Sequence, residues 1–288
     1  MVVYKMKYNR FKLLKIRIDQ GVAFVTIDNP PMNLLNMELL GELSRLQRKL
    51  ANDDDVRVIV FDSADPDFFI AHFDVSSLAI LPDEAPPKSN QLTGMHPICE
   101  AYRTMPKVSI AKLEGIARGG GSEFLLSLDM RFGAIGKAIL GQPEIIVGII
   151  PGGGGTQRLP RLMGRSRAME AVLGGIDFSA ELAERYGYIN RALPQDELTP
   201  FVEDLAYRIA SFPAESIAIA KQAVLTALEQ PIVEGLIEEA YLFGKACALP
   251  AAKERMNWFL QRDGQTREKE LDESGLLNEF KKWKSENN

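Results

Sequence analysis

Two cysteines and two histidines are all that this 288-residue chain holds of the residues that build disulfides and zinc sites. Cys99 and Cys247 form no CxxC pair. Neither a disulfide framework nor a metal site is therefore expected, and the usage suits a reducing, intracellular compartment. Both cysteines read most simply as small buried apolar residues. Positive charge is not in excess either: 34 Lys and Arg stand against 39 Asp and Glu, a net charge of −5. Nothing global attracts a polyanion, so nucleic acid is not an expected partner. Long apolar runs are missing as well, and no window approaches the ~18 uninterrupted apolar residues that cross a bilayer. The opening stretch, MVVYKMKYNRFKLLKIRID, carries Lys5, Lys7, Arg10, Lys12, Lys15 and Arg17 ahead of its first acid, Asp19. It holds no serine and no long apolar run, so it fits neither a transit nor a secretory signal, and a cytoplasmic protein is expected.

What is present is ordinary for a globular domain: 46% hydrophobic and 25% charged residues. The length is enough to bury a full core without metals or disulfides. KLLKIRIDQGVAFVTID (12 to 28) reads as two strands joined at Gln20-Gly21. In MELLGELSRLQRKLAND (37 to 53), Leu39, Leu40, Leu43, Leu46 and Leu50 recur at helical spacing. VRVIVFDS (56 to 63) is a buried strand, and VSIAKLEG (108 to 115) repeats the strand signal before a glycine run and the apolar EFLLSLD. Between them SLAILPDEAPPKSNQLTG (77 to 94) has three prolines and little periodicity, the signature of a long surface loop. Beyond about residue 196 every segment has helical periodicity and none reads as a strand. Met256, Trp258 and Phe259 in the last of these are packing residues, with a subunit contact as the competing reading.

The run ARGGGSEFLLSLD (117 to 129) poses the functional question. Three consecutive glycines mark a place where backbone comes close to something. A dinucleotide fingerprint fails, because Phe124 stands where the third glycine of GxGxxG belongs. The second run, PGGGGTQR (151 to 158), lacks the GK[ST] ending of a phosphate-binding loop. GIARGGGSEF and GIIPGGGGTQ also suggest two turns of one repeating unit, each ending in a glycine-rich helix start. An oxyanion site remains, with backbone N–H groups at a helix start aimed at a substrate oxygen. A tight strand-to-helix packing turn competes with it on the glycines alone.

More motifs accompany the run: IDNPPMNLLN (27 to 36), FFIAHFD (68 to 74) and GQPEIIVGIIPGGGGTQRLPRLMG (141 to 164). In this order they resemble the enoyl-CoA hydratase/isomerase, or crotonase, superfamily, by motif over roughly 20 to 195 and by layout beyond. The resemblance implies an α/β fold, a crotonase-like spiral of repeated strand-strand-helix units with a C-terminal all-helical region. It implies a catalytic acyl-CoA-binding core over 1–195 and a helical oligomerisation region over 196–288 that builds trimers or paired trimers. It further implies that Phe73 and Gly120 each give one N–H to the thioester oxygen. Glu123 and Glu144 are the expected catalytic pair, and Ala71, His72, Asp74, Gly119, Gly121, Pro143 and Lys282 the expected substrate contacts.

The chemistry of the residues agrees with that pairing. Adding water to a 2-enoyl thioester needs a group to activate water, a group to protonate Cα and donors for the enolate. Two carboxylates held close push one pKa upward, so one stays protonated while the other is ionised. Glu123 is assigned to the water and Glu144 to Cα. For an arbitrary glutamate a solvated surface position is the ordinary reading. The expected activity is 2-enoyl-CoA hydration without metal or redox cofactor, coenzyme A being part of the substrate. Isomerisation, thioester hydrolysis or decarboxylation through the same site is the alternative, and a non-catalytic acyl-CoA- or RNA-binding relative the different-class one.

Three departures from the family pattern stand out. His72 replaces its usual glycine, and an intact site would require His72 to take glycine's backbone geometry. Phe73 is bulkier than the common small residue. Val75, Ser76 and Ser77 stand where relatives carry a basic group for the CoA phosphates, with Lys281, Lys282 and Lys284 as candidate replacements. Arg158, Arg161, Arg165 and Arg167 are expected to bond within the fold, since no aromatics interleave them for base stacking.

Overall fold

The computed structural model describes residues 8–82, 84 and 86–286, with the side chains of 273, 274, 281 and 284–286 excepted. Lys5 and Lys7 of the basic N-terminal stretch, and the side chains of Lys281 and Lys284, therefore lie outside the described residues. The chain falls into two compact units that divide between Ala210 and Ser211.

The first unit opens with the hairpin of β1 (Leu14–Asp19) and β2 (Val22–Ile27). Gln20 and Gly21 turn it with φ of 44° and 82°. Positive φ at both turn residues matches the twist of the two strands. Helix Met37–Ala51 follows, capped by the Asn36 side chain on the Leu39 N–H, and buries the leucine stripe seen in the sequence.

From here the chain spirals, and each turn lays one strand in each of two sheets. β3 (Val58–Ser63) leads to β4 (Phe68–Ile70), β5 (Val108–Leu113) to β6 (Ile116–Arg118), and β7 (Met130–Ala134) to β8 (Ile139–Gly141). β9 (Asp177–Ser179) and β10 (Arg191–Leu193) complete them. The large sheet runs β1-β2-β3-β5-β7-β10 and the small one β4-β6-β8-β9. Pairings are parallel except β1 with β2 and β8 with β9. Because β4, β6 and β8 run parallel, the residues just past their ends emerge on one edge of the small sheet. Those residues are Ala71 to Phe73, Gly119 to Glu123, and Gln142 to Glu144.

Aromatic packing fixes the helix that starts at this edge, Gly120–Leu126. Its Phe124 meets Phe61 of β3 and Tyr102 of helix His96–Thr104 edge-to-face, all three centroid distances lying between 5.4 and 5.6 Å. Each such pair contributes about 1 kcal/mol beyond the area it buries. At the other end Arg131 caps the helix through the carbonyls of Leu125 and Leu128, its pKa lowered to about 10 by burial.

Helix Gln195–Ala210 belongs to the first unit, so the division comes later in the chain than helical periodicity alone suggested. Its Leu198, Val202, Ala206 and Ala210 are buried in register with one helix face. The second unit consists of helices Ala214–Thr226, Ile232–Ala248, Pro250–Leu260, Arg267–Glu270 and Glu273–Glu286, with no strand among the described residues. Its small core joins Trp258, Leu276 and Phe280, with Phe259 packed against it, whereas Met256 is exposed. No helix among the described residues is long and apolar enough to cross a membrane. Val75–Ala79 forms a short helix, and the described residues of 80 to 94 hold neither helix nor strand.

Candidate active site

Three strand ends build the site. After β6 the chain reverses at Gly119, whose φ of 50° and ψ of −127° suit only a residue without Cβ. Gly120 then lies against Phe73: a Cβ on Gly120 would stand 2.8 Å from Phe73 Cβ and 3.3 Å from Phe73 N. Gly121 packs on the Ile70 backbone and leaves no room for a side chain. Neither the Phe73 nor the Gly120 N–H donates to another backbone group among the described residues. The Leu35 N–H donates to the His72 carbonyl at 2.9 Å, and that carbonyl shares its peptide with the Phe73 N–H. A hydrogen bond accepted on one side of a peptide strengthens the donor on the other. Segment 27–36 thus reaches the site through Leu35, held in turn by Asn33, which binds Ser63 Oγ and the carbonyls of Phe68 and Phe69.

Glu123 is 3% exposed, yet half of its carboxylate is tied down. Oε1 accepts from the N–H groups of Gly153 and Gly155 at 2.7 and 2.8 Å, and no hydrogen bond to Oε2 occurs among the described residues. Burial pushes the Glu123 pKa up, while the two N–H groups and the basic side chains of His96 and Arg158 oppose the rise. Arg158 holds the second glycine run in place: it donates to the Gly153 carbonyl and pairs with Glu100, which also pairs with Arg103.

Glu144 opens the 3-10 helix Glu144–Val147, with Pro143 at its cap. Its Oε1 lies 3.1 Å from the point a Cβ on Gly119 would occupy, and His72 Cβ lies 3.7 Å from the same point. Burial first, and the charge of Glu123 second, push Glu144 up to about 7. Beneath it, fully buried Gln142 reaches both Glu144 oxygens at 3.1 and 3.2 Å.

The sequence-expected residues thus fall into groups. Ala71, His72, Phe73, Gly119, Gly120, Gly121, Glu123, Pro143 and Glu144 come together at one sheet edge. Asp74 is occupied in capping helix Val75–Ala79, accepting from the N–H and hydroxyl of Ser76, which lowers its pKa. Lys282 lies exposed on helix Glu273–Glu286 of the second unit. His72 does not take glycine's geometry: positive φ among described non-glycine residues is confined to Gln20, Asn33 and Asp263. Its Nδ1 bonds the Phe73 carbonyl at 2.8 Å, so the ring is parked on backbone. The second glycine run is not a copy of the first. No strand leads directly into it, and its N–H groups close on Glu123. Arg158 and Arg161 bond within the fold, as does Arg167 over the Tyr186 ring. Cys99 is fully buried and Cys247 half-buried. Among the described residues no group of His, Cys, Asp and Glu is arranged to hold a metal ion.

Sequence reasoning missed Gly153 and Gly155 as ligands of Glu123, although an extra glycine run without a phosphate-loop ending was the available signal. It also missed His96, whose approach depends on the fold of helix His96–Thr104 against the 151–155 turn.

A two-sheet spiral with two free N–H groups and two carboxylates at the edge of its small sheet is the architecture of the crotonase superfamily. The enoyl-CoA hydratase/isomerase family model matches residues 17–267, and the chain belongs to that family. It is 31% identical over 248 residues to the short-chain-enoyl-CoA hydratase of Clostridium acetobutylicum, covering 84% of this chain and 92% of that one. A solved structure from Streptomyces avermitilis is 41% identical with a TM-score of 0.69, covering 93% of this chain and 98% of that one. The enoyl-CoA hydratase structure from Bacillus anthracis is 27% identical with a TM-score of 0.79, covering 87% and 97%.

Proposed function

We propose that the protein is an enoyl-CoA hydratase that adds water across the 2,3-double bond of a 2-enoyl-CoA. One observation carries the reading: both carboxylates stand at the site in different surroundings. Glu123 has one oxygen held by two N–H groups which, with Arg158, oppose the rise that burial causes, while Glu144 has no such N–H pair and is pushed up to about 7. Environments that separate two carboxylates in this way assign base and acid.

In this mechanism the thioester oxygen sits between the Phe73 and Gly120 N–H groups. Water bound to Glu123 Oε2 loses a proton to that oxygen as its own oxygen bonds C3. The C2–C3 π electrons move onto the thioester as an enolate, which the two N–H groups stabilise, each by about 3 kcal/mol at the transition state. Glu144 then gives its proton to C2. Water is thereby added with one proton gained by Glu123 and one lost by Glu144, and exchange with solvent resets both. No metal or redox cofactor enters these steps, and coenzyme A arrives as part of the substrate.

The test is loss of the enoyl-thioester absorbance on crotonyl-CoA and on a longer 2-enoyl-CoA, by wild type, Glu123→Gln and Glu144→Gln. Hydration by wild type that both substitutions abolish supports the assignment. Turnover of a 3-enoyl-CoA in place of hydration would replace it with isomerisation, and binding without turnover would replace it with a non-catalytic role.

Assembly into trimers or paired trimers is part of the same reading. Helix Ile232–Ala248 exposes Ile232, Val233, Leu236, Ile237 and Tyr241, while its Leu242 is buried. An apolar face of that size favours a protein partner. Light scattering that returned a monomer mass would remove this part. A cytoplasmic location completes the reading, and fractionation of the source cells tests it.

A further inference from the structure

Under Glu144 lies a polar cluster in the core. Gln142, Ser122 and Tyr188 are all fully buried, and they come from three different segments: the end of β8, the helix that carries Glu123, and the turn before β10. The Ser122 and Tyr188 hydroxyl oxygens are 2.6 Å apart. Each also reaches the Gln142 amide, Ser122 at 3.2 Å and Tyr188 at 3.3 Å.

Proton counting fixes how this cluster is arranged. Each hydroxyl has one proton to donate, and an amide oxygen has none. If one hydroxyl donates to the other, the second still has a proton to place, and the acceptor within reach is Gln142. The amide therefore presents oxygen to the hydroxyl pair, and its NH2 is turned outward onto both oxygens of Glu144 at 3.1 and 3.2 Å. Turned the other way, the amide would leave a buried hydroxyl proton without an acceptor and set its oxygen against the Glu144 carboxylate. Both faults are costly in a dry interior.

We propose that the Ser122–Tyr188 hydroxyl pair is a positioning device, holding the Gln142 amide so that its NH2 fixes the orientation and the protonation equilibrium of Glu144. Neither hydroxyl touches substrate in this role; both act through Gln142. The inference deepens the hydratase reading and rests on it for the role of Glu144 as proton donor.

The direction of the effect follows from the same geometry. An NH2 donating to a carboxylate favours its ionised form. Released from the hydroxyls, the amide turns and accepts from protonated Glu144, so Glu144 holds its proton to higher pH. The other titratable groups facing Glu144 are Glu123 from helix Gly120–Leu126 and Tyr188 itself, whose pKa is pushed up to about 12 by burial. His72 is also close: its Cβ and Glu144 Oε1 border the same point beside Gly119, at 3.7 and 3.1 Å.

The experiment compares wild type, Tyr188→Phe, Ser122→Ala and the double variant by two readouts. Infrared titration of the Glu144 carboxyl, assigned by its loss in Glu144→Gln, gives the midpoint without reference to turnover. Crotonyl-CoA hydration gives kcat and KM. Each single variant keeps one donor for Gln142 and is expected to keep the wild-type midpoint, with kcat down about twofold. The double variant loses both donors, so its midpoint rises and kcat falls about tenfold with KM little changed, the scale of a misoriented catalytic group. A folded double variant with wild-type midpoint and kcat overturns the proposal. Should it fail to fold, Gln142→Met, which keeps the volume but has no NH2 to offer Glu144, carries the comparison: its midpoint is expected to rise as in the double variant, and a wild-type midpoint overturns the proposal. If wild type hydrates nothing, the hydratase reading falls, while the midpoints still decide whether the hydroxyl pair controls Glu144.

Discussion

Gly153 both binds Glu123 and makes room for it. Its N–H donates to Oε1 at 2.7 Å, and the position a Cβ would take lies 2.8 Å from Oε2. A side chain at 153 would push into the Glu123 oxygen that accepts no hydrogen bond among the described residues, and also into Met95 Sδ at 2.8 Å.

Gly153→Ala is therefore expected to lower kcat for hydration by about a hundredfold, since displacement of a reacting group by about an ångström costs that much. Its melting temperature should fall less steeply, because the turn is at the site and not in the main core. Measuring kcat with a thermal melt separates the two, and an alanine variant with wild-type kcat would remove Oε2 from the mechanism.

The oxyanion assignment has a parallel test in Gly120. A Cβ there meets Phe73 Cβ at 2.8 Å and wedges the two N–H donors apart without deleting either. Gly120→Ala should reduce kcat by roughly a hundredfold, with a smaller change in KM. Should KM absorb the whole loss, these donors bind the ground state and transition state alike.

The raised pKa of Glu144 makes two predictions about pH. As an acid it must be protonated to serve C2, so kcat/KM for hydration falls as pH rises through about 7. Stability follows the linkage relation. The folded value, about 7, lies above the ordinary 4.5, so between these the folded state binds more protons than the unfolded one. Stability is then lost as pH rises through that window, because the buried site resists the charge. Glu144→Gln removes the charge: relative to wild type it should gain stability above about pH 7, and the gain should vanish below 4.5. Urea melts at pH 4, 6 and 8 would show the divergence; parallel curves would mean that Glu144 ionises as freely folded as unfolded.

Much of this was legible because it is written in local patterns. The leucine stripe of 37–51 reports a helix face, Gln20-Gly21 reports a hairpin, and GGG before Glu123 reports a backbone approach. The turn at 151–155 was harder. Its glycines are not adjacent in sequence to what they bind, and Gly153 and Gly155 reach Glu123 across 30 and 32 residues. His72 was hard to read for a different reason. A glycine in a family pattern suggests a left-handed backbone, yet at 72 the chain has no positive φ, and the ring finds its partner in the next carbonyl. Ser122 and Tyr188 look like ordinary core residues in sequence, and only the fold shows that their hydroxyls meet Gln142.

His96 is the remaining titratable neighbour of Glu123 that the sequence did not single out. It begins helix His96–Thr104, directly after Met95, whose sulfur and Glu123 Oε2 both border the open side of Gly153. A positive charge on His96 lowers the pKa of Glu123, working with Arg158 and the two N–H groups against burial. Arg158 is committed to Glu100 and the Gly153 carbonyl and must stay to hold the turn, so His96 is the basic side chain that can be removed without dismantling the site. Without it Glu123 holds its proton to higher pH. Since Glu123 must be ionised to take a proton from water, the acid limb of kcat/KM should move upward in His96→Gln, while the alkaline limb, which belongs to Glu144, stays in place. A limb shift of about half a unit, with activity recovered at high pH, is the expected result for one partly exposed charge. Equal loss at every pH would instead make His96 a packing residue of its helix, with Glu123 kept ionised by Gly153, Gly155 and Arg158 alone.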